Sequence, residues 1–232
     1  MDIKTVVRAG TLAVLVVSVG CGPSENARKE AERAAAAAAQ ARATTQAGEV
    51  IGARQEAQAQ LDSARAAFLA KQTTIASKEL KAAAAFTRTQ ADSATGTAKD
   101  ALSNSAAELQ RLATRVTKRS VKSVKTLDYA FARTQLAEAQ YHHERALDAF
   151  QQAKPAAAGA ELVMAADHFE RALTDAGQTA TEPAKQAIAD ARSVASKLAS
   201  GAPVAQADLE SALAAFEKQV QSVAATTTKL KS

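Results

Sequence analysis

Apolar side chains return every three or four residues along much of the chain. Leu109, Leu112 and Val116 mark one stretch, Leu136, Ala139, Leu147 and Phe150 the next, and Leu162, Ala166, Phe169 and Leu173 a third. This spacing is that of helices with one buried face. Turn-forming sequences at Gln72-Thr73, Thr95-Gly96, Lys154-Pro155, positions 177–182 and Gly201-Ala202-Pro203 divide the pattern. Between Gly96 and Pro155 there is neither Gly nor Pro, so these local signals leave open one unbroken helix across that whole stretch.

An internal similarity resolves it. When the chain is slid along itself so that Phe68 falls on Phe150, Glu79-Leu80 falls on Glu161-Leu162 and Ala83-Ala84 on Ala165-Ala166. After a four-residue insertion, Ala98-Lys99-x-Ala101-Leu102 matches Ala184-Lys185-x-Ala187-Ile188, and Leu112-Ala113 matches Leu198-Ala199. Back in the first register, Arg119-Ser120-Val121 falls on Gly201-Ala202-Pro203, which predicts a turn at 119–122 with Ser123 as an N-cap. Seven helices follow, at about 25–71, 74–93, 97–118, 123–153, 156–177, 182–199 and 204–229, with Pro155, Pro183 and Pro203 at or near helix starts. Short connections make neighbouring helices antiparallel. The expected fold is all-α: an elongated antiparallel bundle of two tandem repeats, with two up-down bundles sharing the long fourth helix.

Composition narrows the kind of core. Of 232 residues 47% are hydrophobic, but only 3% are aromatic and about a quarter are Ala, so the buried surface per residue is small. Few Gly and Pro beside abundant Ala, Glu, Gln, Lys and Arg match helical proteins and argue against a β-sandwich, a collagen-like chain or a disulfide scaffold.

The N-terminus has its own logic. Lys4 and Arg8 precede an uncharged apolar run from Leu12 to Val19, of signal-peptide length and too short to span a membrane. It ends in Ser18-Val19-Gly20-Cys21, with the chain's single Cys. This segment resembles the lipobox of bacterial lipoprotein precursors, although that family favours Leu where Ser18 stands. The resemblance implies cleavage before Cys21, its acylation, and attachment to a membrane facing the periplasm. In proteins of this family a residue other than Asp directly after the Cys, here Gly22, points to the outer membrane. The expected organisation is a signal peptide at 1–20, a lipidated N-terminus with an Ala-rich stalk helix at 21–52, a first helical repeat at 53–122, and a second repeat with the C-terminal helix at 123–232. In texture the mature part is similar to Ala-rich helical periplasmic proteins of the YfdX kind.

Candidate chemistry is sparse. With Cys21 lipidated no thiol remains, and phosphate-cradling Gly loops, nucleophile elbows and paired-His metalloprotease motifs are missing from the sequence, so no catalytic residue and no enzyme activity is expected. Two features remain. Arg111, Arg115, Lys118, Arg119, Lys122 and Lys125 form a basic stripe with no acid between 109 and 127. Such a stripe suits an anionic glycan or phospholipid surface, or simply a solvated face whose cations complement a helix C-terminus. Without interleaved aromatics, and in an exported protein, it does not suit nucleic acid.

The second feature is His142, His143 and His168. His143 and His168 correspond to Leu61 and Phe86 in the internal alignment and lie almost equidistant from the turn at Lys154-Pro155, which predicts two core-facing imidazoles at one level of a helical hairpin. They are candidates for structural histidines, for a pH-sensitive pair, or for zinc ligands assisted by Glu138, Asp167 or Glu144. The functional expectation is a lipid-anchored scaffold or spacer that binds another envelope component, with a module holding a divalent metal or an anionic envelope polymer as the alternative.

Overall fold

The computed structural model describes Lys29 and residues 57–229. The signal peptide, Cys21 and most of the stalk expected at 21–52 lie outside the described residues. Seven helices account for nearly all of the described chain: α1 (57–69), α2 (Thr73–Ser93), α3 (Gly96–Thr117), α4 (Lys125–Gln151), α5 (Pro155–Asp175), α6 (Glu182–Ala199) and α7 (Gln206–Lys229). There is no strand among the described residues, and no helix there is long and apolar enough to cross a membrane.

Five of the helices end in a common way. Lys71, Arg119, Ala153, Gly177 and Gly201 all have positive φ, and the N–H that follows each returns to a carbonyl five positions back, as Gln72 does to Ala67 at 2.8 Å and Ser120 to Arg115 at 3.0 Å. This left-handed cap satisfies carbonyls that the last turn leaves open. Lys71 falls on Ala153, and Arg119 on Gly201, in the register that aligns Phe68 with Phe150. The turn expected at 119–122 is present. Val124 directly precedes α4 and carries no polar atom to cap with, and it is Ser123 Oγ that accepts from the Lys125 N–H at 3.2 Å.

Three apolar clusters hold the bundle together. Leu61 of α1, Leu80 of α2, Leu109, Leu112 and Val116 of α3, and Leu127 and Phe131 of α4 form the first. Leu136 of α4, Leu162 and Phe169 of α5, Ile188 and Leu198 of α6, and Leu209 and Phe216 of α7 form the second. In the third, Ala91, Ala98 and Leu102 pack on Ala137 and Tyr141 of α4. Helix α4 thus runs from one core into the other and packs against α3, α5 and α7. Because different faces are covered along its length, it buries Thr134, Gln135, Glu138, His142 and His143 as well as its apolar residues.

Alanine sets the helix spacing. Ala158, Ala165, Ala166, Ala172, Ala191 and Ala195 are all buried in the second core, and at Gly159 even a methyl is too large. A Cβ there would stand 2.8 Å from the Ala195 carbonyl oxygen of α6. Polar contacts tie the first core across helices. Arg65 pairs with Asp128 at 2.7 Å, and Glu144 of α4 accepts from the Ala98 N–H (3.1 Å) and the Thr97 hydroxyl (2.9 Å), placing a carboxylate at the positive end of α3.

Candidate functional site

All three histidines are buried, but the structure divides them differently from the expectation of a facing His143–His168 pair. His142 faces His168: the rings are 8° from parallel with centroids 5.4 Å apart. His143 points the other way, towards α7, where its Nε2–H donates to the Leu213 carbonyl at 3.2 Å and its ring lies 6.2 Å from that of Phe216. Equal distance from the turn sets the level of a residue in a hairpin. It does not set the direction, and consecutive helical residues diverge by about 100°. Burial depresses the His143 pKa, against the opposing fields of Glu217 and Glu144, so the neutral ring is the stable form.

Glu138 joins the facing pair. It stands one helical turn before His142, on the same side of α4, and one ligand atom from each of Glu138, His142 and His168 lies within 4.8 Å of the others. The other two acids considered from sequence are engaged elsewhere: Asp167 pairs with Arg192 at 2.7 Å, and Glu144 serves the start of α3.

A set of hydrogen bonds fixes both rings. His142 Nδ1 lies 2.6 Å from Glu161 Oε2, and because a carboxylate only accepts, this nitrogen carries the proton. Glu161 also receives Arg145 Nε at 2.8 Å. Despite burial, its carboxyl pKa lies below the usual value because His142 and Arg145 favour the charged form. On the other ring, the exposed Asp62 accepts from Gln58 Nε2 at 3.1 Å. That turns Gln58 Oε1 towards Gln135 Nε2 (2.6 Å), and Gln135 Oε1 towards His168 Nδ1 (2.6 Å). His168 therefore also donates from Nδ1. In its neutral form each of the two rings carries its lone pair on Nε2.

Beside Glu138 and His168 lies a cavity of about 20 Å³, bounded by Leu61, Phe86, Thr87 and Thr134. That is room for one water. Gln58, Gln135 and Glu161 were not singled out from sequence. A Gln beside the apolar Leu136 in the middle of α4 was the available signal.

The basic stripe is intact and exposed. Arg111, Arg115, Lys118, Arg119, Lys122 and Lys125 are all solvent-facing and, among the described residues, none of the six takes part in an ion pair. Arg111 and Arg115 line a shallow groove of about 130 Å³ between α3 and α4 with Leu112, Thr126, Ala130 and Glu108. The Glu108 carboxylate is held by Arg133 at 2.5 and 2.8 Å, which leaves the groove's outward charge positive.

Compared with protein-family models, curated proteins and solved structures, the chain has no match in any of the three.

Proposed function

We propose that this protein is a lipid-anchored helical scaffold of a bacterial envelope, built from two tandem copies of one helical unit, whose basic face at the α3–α4 turn holds an anionic envelope polymer. The observation that carries the binding half is the set of six exposed cations around that turn, none of which forms an ion pair among the described residues. Charges gathered in this way create a field that neighbouring acids elsewhere on the surface would cancel. The groove lined by Arg111 and Arg115 adds a concave place for a carboxylate- or phosphate-bearing chain. The anchor is supported by the sequence from Leu12 to Cys21. Tandem descent is supported by the register that pairs Phe68 with Phe150 and Glu79-Leu80 with Glu161-Leu162, in which the left-handed caps at Lys71 and Arg119 also fall on those at Ala153 and Gly201.

One experiment tests both halves. Cys21→Ser is expected to move the protein from the membrane fraction to the soluble periplasm, since two or more acyl chains give stable attachment. That soluble protein is expected to pellet with isolated anionic cell-wall fragments at about 0.15 M salt, where exposed charges are screened over about 8 Å. Replacing Arg111, Arg115 and Lys118 together with Gln should release it without loss of helicity. Persistent membrane association of Cys21→Ser after a salt wash overturns the anchor, and equal pelleting of the triple variant overturns the binding face.

A further inference from the structure

We propose that Glu138, His142 and His168 form a binding site for one divalent transition-metal ion of the zinc class, with a water in the adjoining cavity as its fourth ligand. The donor set is two imidazole nitrogens and one carboxylate oxygen, a combination that suits zinc and its neighbours better than Mg²⁺ or Ca²⁺, which favour all-oxygen shells. Two ligands come from one face of α4 and the third from α5, so the helical hairpin itself brings them together. A tetrahedral ion bonded at about 2.0–2.2 Å holds its ligand atoms about 3.4 Å apart. The three atoms here are within 4.8 Å of one another and the two rings are nearly parallel, so loading requires a tilt of the rings small enough to keep both Nδ1 hydrogen bonds, and the set to draw in slightly.

The surroundings favour this reading over a pair of structural histidines. Each Nδ1–H is directed to an acceptor, Glu161 for His142 and Gln135 for His168, which is the outer-shell arrangement that presents Nε2 to a metal and raises its basicity. The fourth position has space. The cavity of about 20 Å³ borders both Glu138 and His168, with Thr87 and Thr134 on its wall. The positions that align with these two threonines further along the chain are Phe169 and Phe216, which are fully buried and pack ring to ring, filling the equivalent region of the second core. With three protein ligands and one water the site has the composition of an open zinc centre.

The test is calorimetric titration of the purified full chain, cleared of metal with a chelator, against Zn²⁺, with Mg²⁺ as the contrast. One Zn²⁺ per chain is expected, with no comparable uptake of Mg²⁺. Co²⁺ in its place should give the intense visible bands of a tetrahedral ion. Glu138→Gln, which keeps the side chain's shape, should weaken Zn²⁺ binding by about 10-fold or more, and Glu161→Gln, which does not touch the ion, should weaken it about 10- to 100-fold through His142. His143→Gln, on the opposite side of α4, should leave the affinity unchanged. Absence of 1:1 binding in the wild type, Mg²⁺ bound equally well, or loss of Zn²⁺ in His143→Gln with retention in Glu138→Gln each overturns the proposal. The wild-type titration and the Co²⁺ spectrum decide the matter even if a variant fails to fold.

Discussion

Positions that the internal sequence alignment pairs are buried with different chemistry in the two halves of the bundle. Leu80 and Leu162, Ala84 and Ala166, and Leu127 and Leu209 are like pairs in the register that aligns Phe68 with Phe150, and all six are buried. At other buried positions the pairs diverge. The first half has Thr87 and Thr134, each hydroxyl satisfied by the carbonyl one turn back on its own helix, at 3.0 Å. The second has Phe169 and Phe216, whose rings meet edge to face at 5.4 Å. Ser77, which accepts from the Thr117 hydroxyl at 2.8 Å, becomes Gly159, against which α6 approaches too closely for a Cβ. Ser93, bonded to Tyr141, becomes the half-buried acid Asp175. At these aligned positions the first half is therefore more hydroxylated and the second more apolar. The cavity walled by Thr87 and Thr134 borders Glu138 and His168 of the buried polar cluster.

The sharpest way to break this comparison is at its centre. Phe169→Ala should cost about 3–5 kcal/mol, the range for removing a buried aromatic side chain. Thr87→Ala, at the corresponding position, should cost only about 1 kcal/mol, because the lost hydroxyl was bonded within its own helix. Urea denaturation of the two variants measures the difference, and equal losses would mean that the two positions are not packed as differently as their residues imply.

A smaller contrast is expected at the helix seams. Gly159→Ala puts a methyl against a backbone carbonyl that cannot turn aside, and should destabilise by about 1–3 kcal/mol. Ser77→Ala removes one acceptor of the Thr117 hydroxyl, which also donates to the Ala113 carbonyl at 3.0 Å, and should change stability by less than about 1 kcal/mol. Thermal melting of the pair checks the order.

The fold was more legible than the site, and particular residues show why. Helix ends are written locally, in Pro155, Gly177 and Gly201, and the turn at 119–122 lacked such marks but had a counterpart that carried them. The rotation of α4 had no such record. Apolar periodicity reports which face of a helix is buried only when one face is, and α4 is covered by α3, α5 and α7 in turn, so His142 and His143 are both buried while facing different partners. The relay through Gln58 and Gln135 joins α1 to α4 across two intervening helices of sequence, which no local pattern encodes.

The mildest prediction concerns Asp175. Burial raises its pKa to about 7, helped by the nearby charges of Asp128 and Asp62 and opposed by Arg65 and Arg171. The folded state holds this proton more tightly than the unfolded chain, whose carboxyl titrates near 3.8, so its contribution to stability is complete below about pH 4 and falls as the pH rises to about 7. Asp175→Asn should remove that slope and melt higher than wild type at about pH 8, with little difference at about pH 4. His143 works in the opposite direction: its depressed pKa makes stability fall as the pH drops below about 6.5, in both proteins. The difference between variant and wild type isolates the acid, and identical pH profiles would exclude it as a source of strain.

Helix α4 has one more consequence, for how the molecule opens. It supplies Leu127 and Phe131 to one core, Ala137 and Tyr141 to the third cluster, and Leu136, Ala139 and Ala146 to the other core. A chain of two units joined by an exposed linker can lose one unit to local unfolding while the other persists. Here the connector is itself the inner wall of both, so freeing either half strips apolar cover from the same helix. The two halves are thereby expected to open as one cooperative event, and the amide hydrogens around Gln135 to Ala139, where α4 passes from one core to the other, are expected to be among the slowest to exchange with solvent.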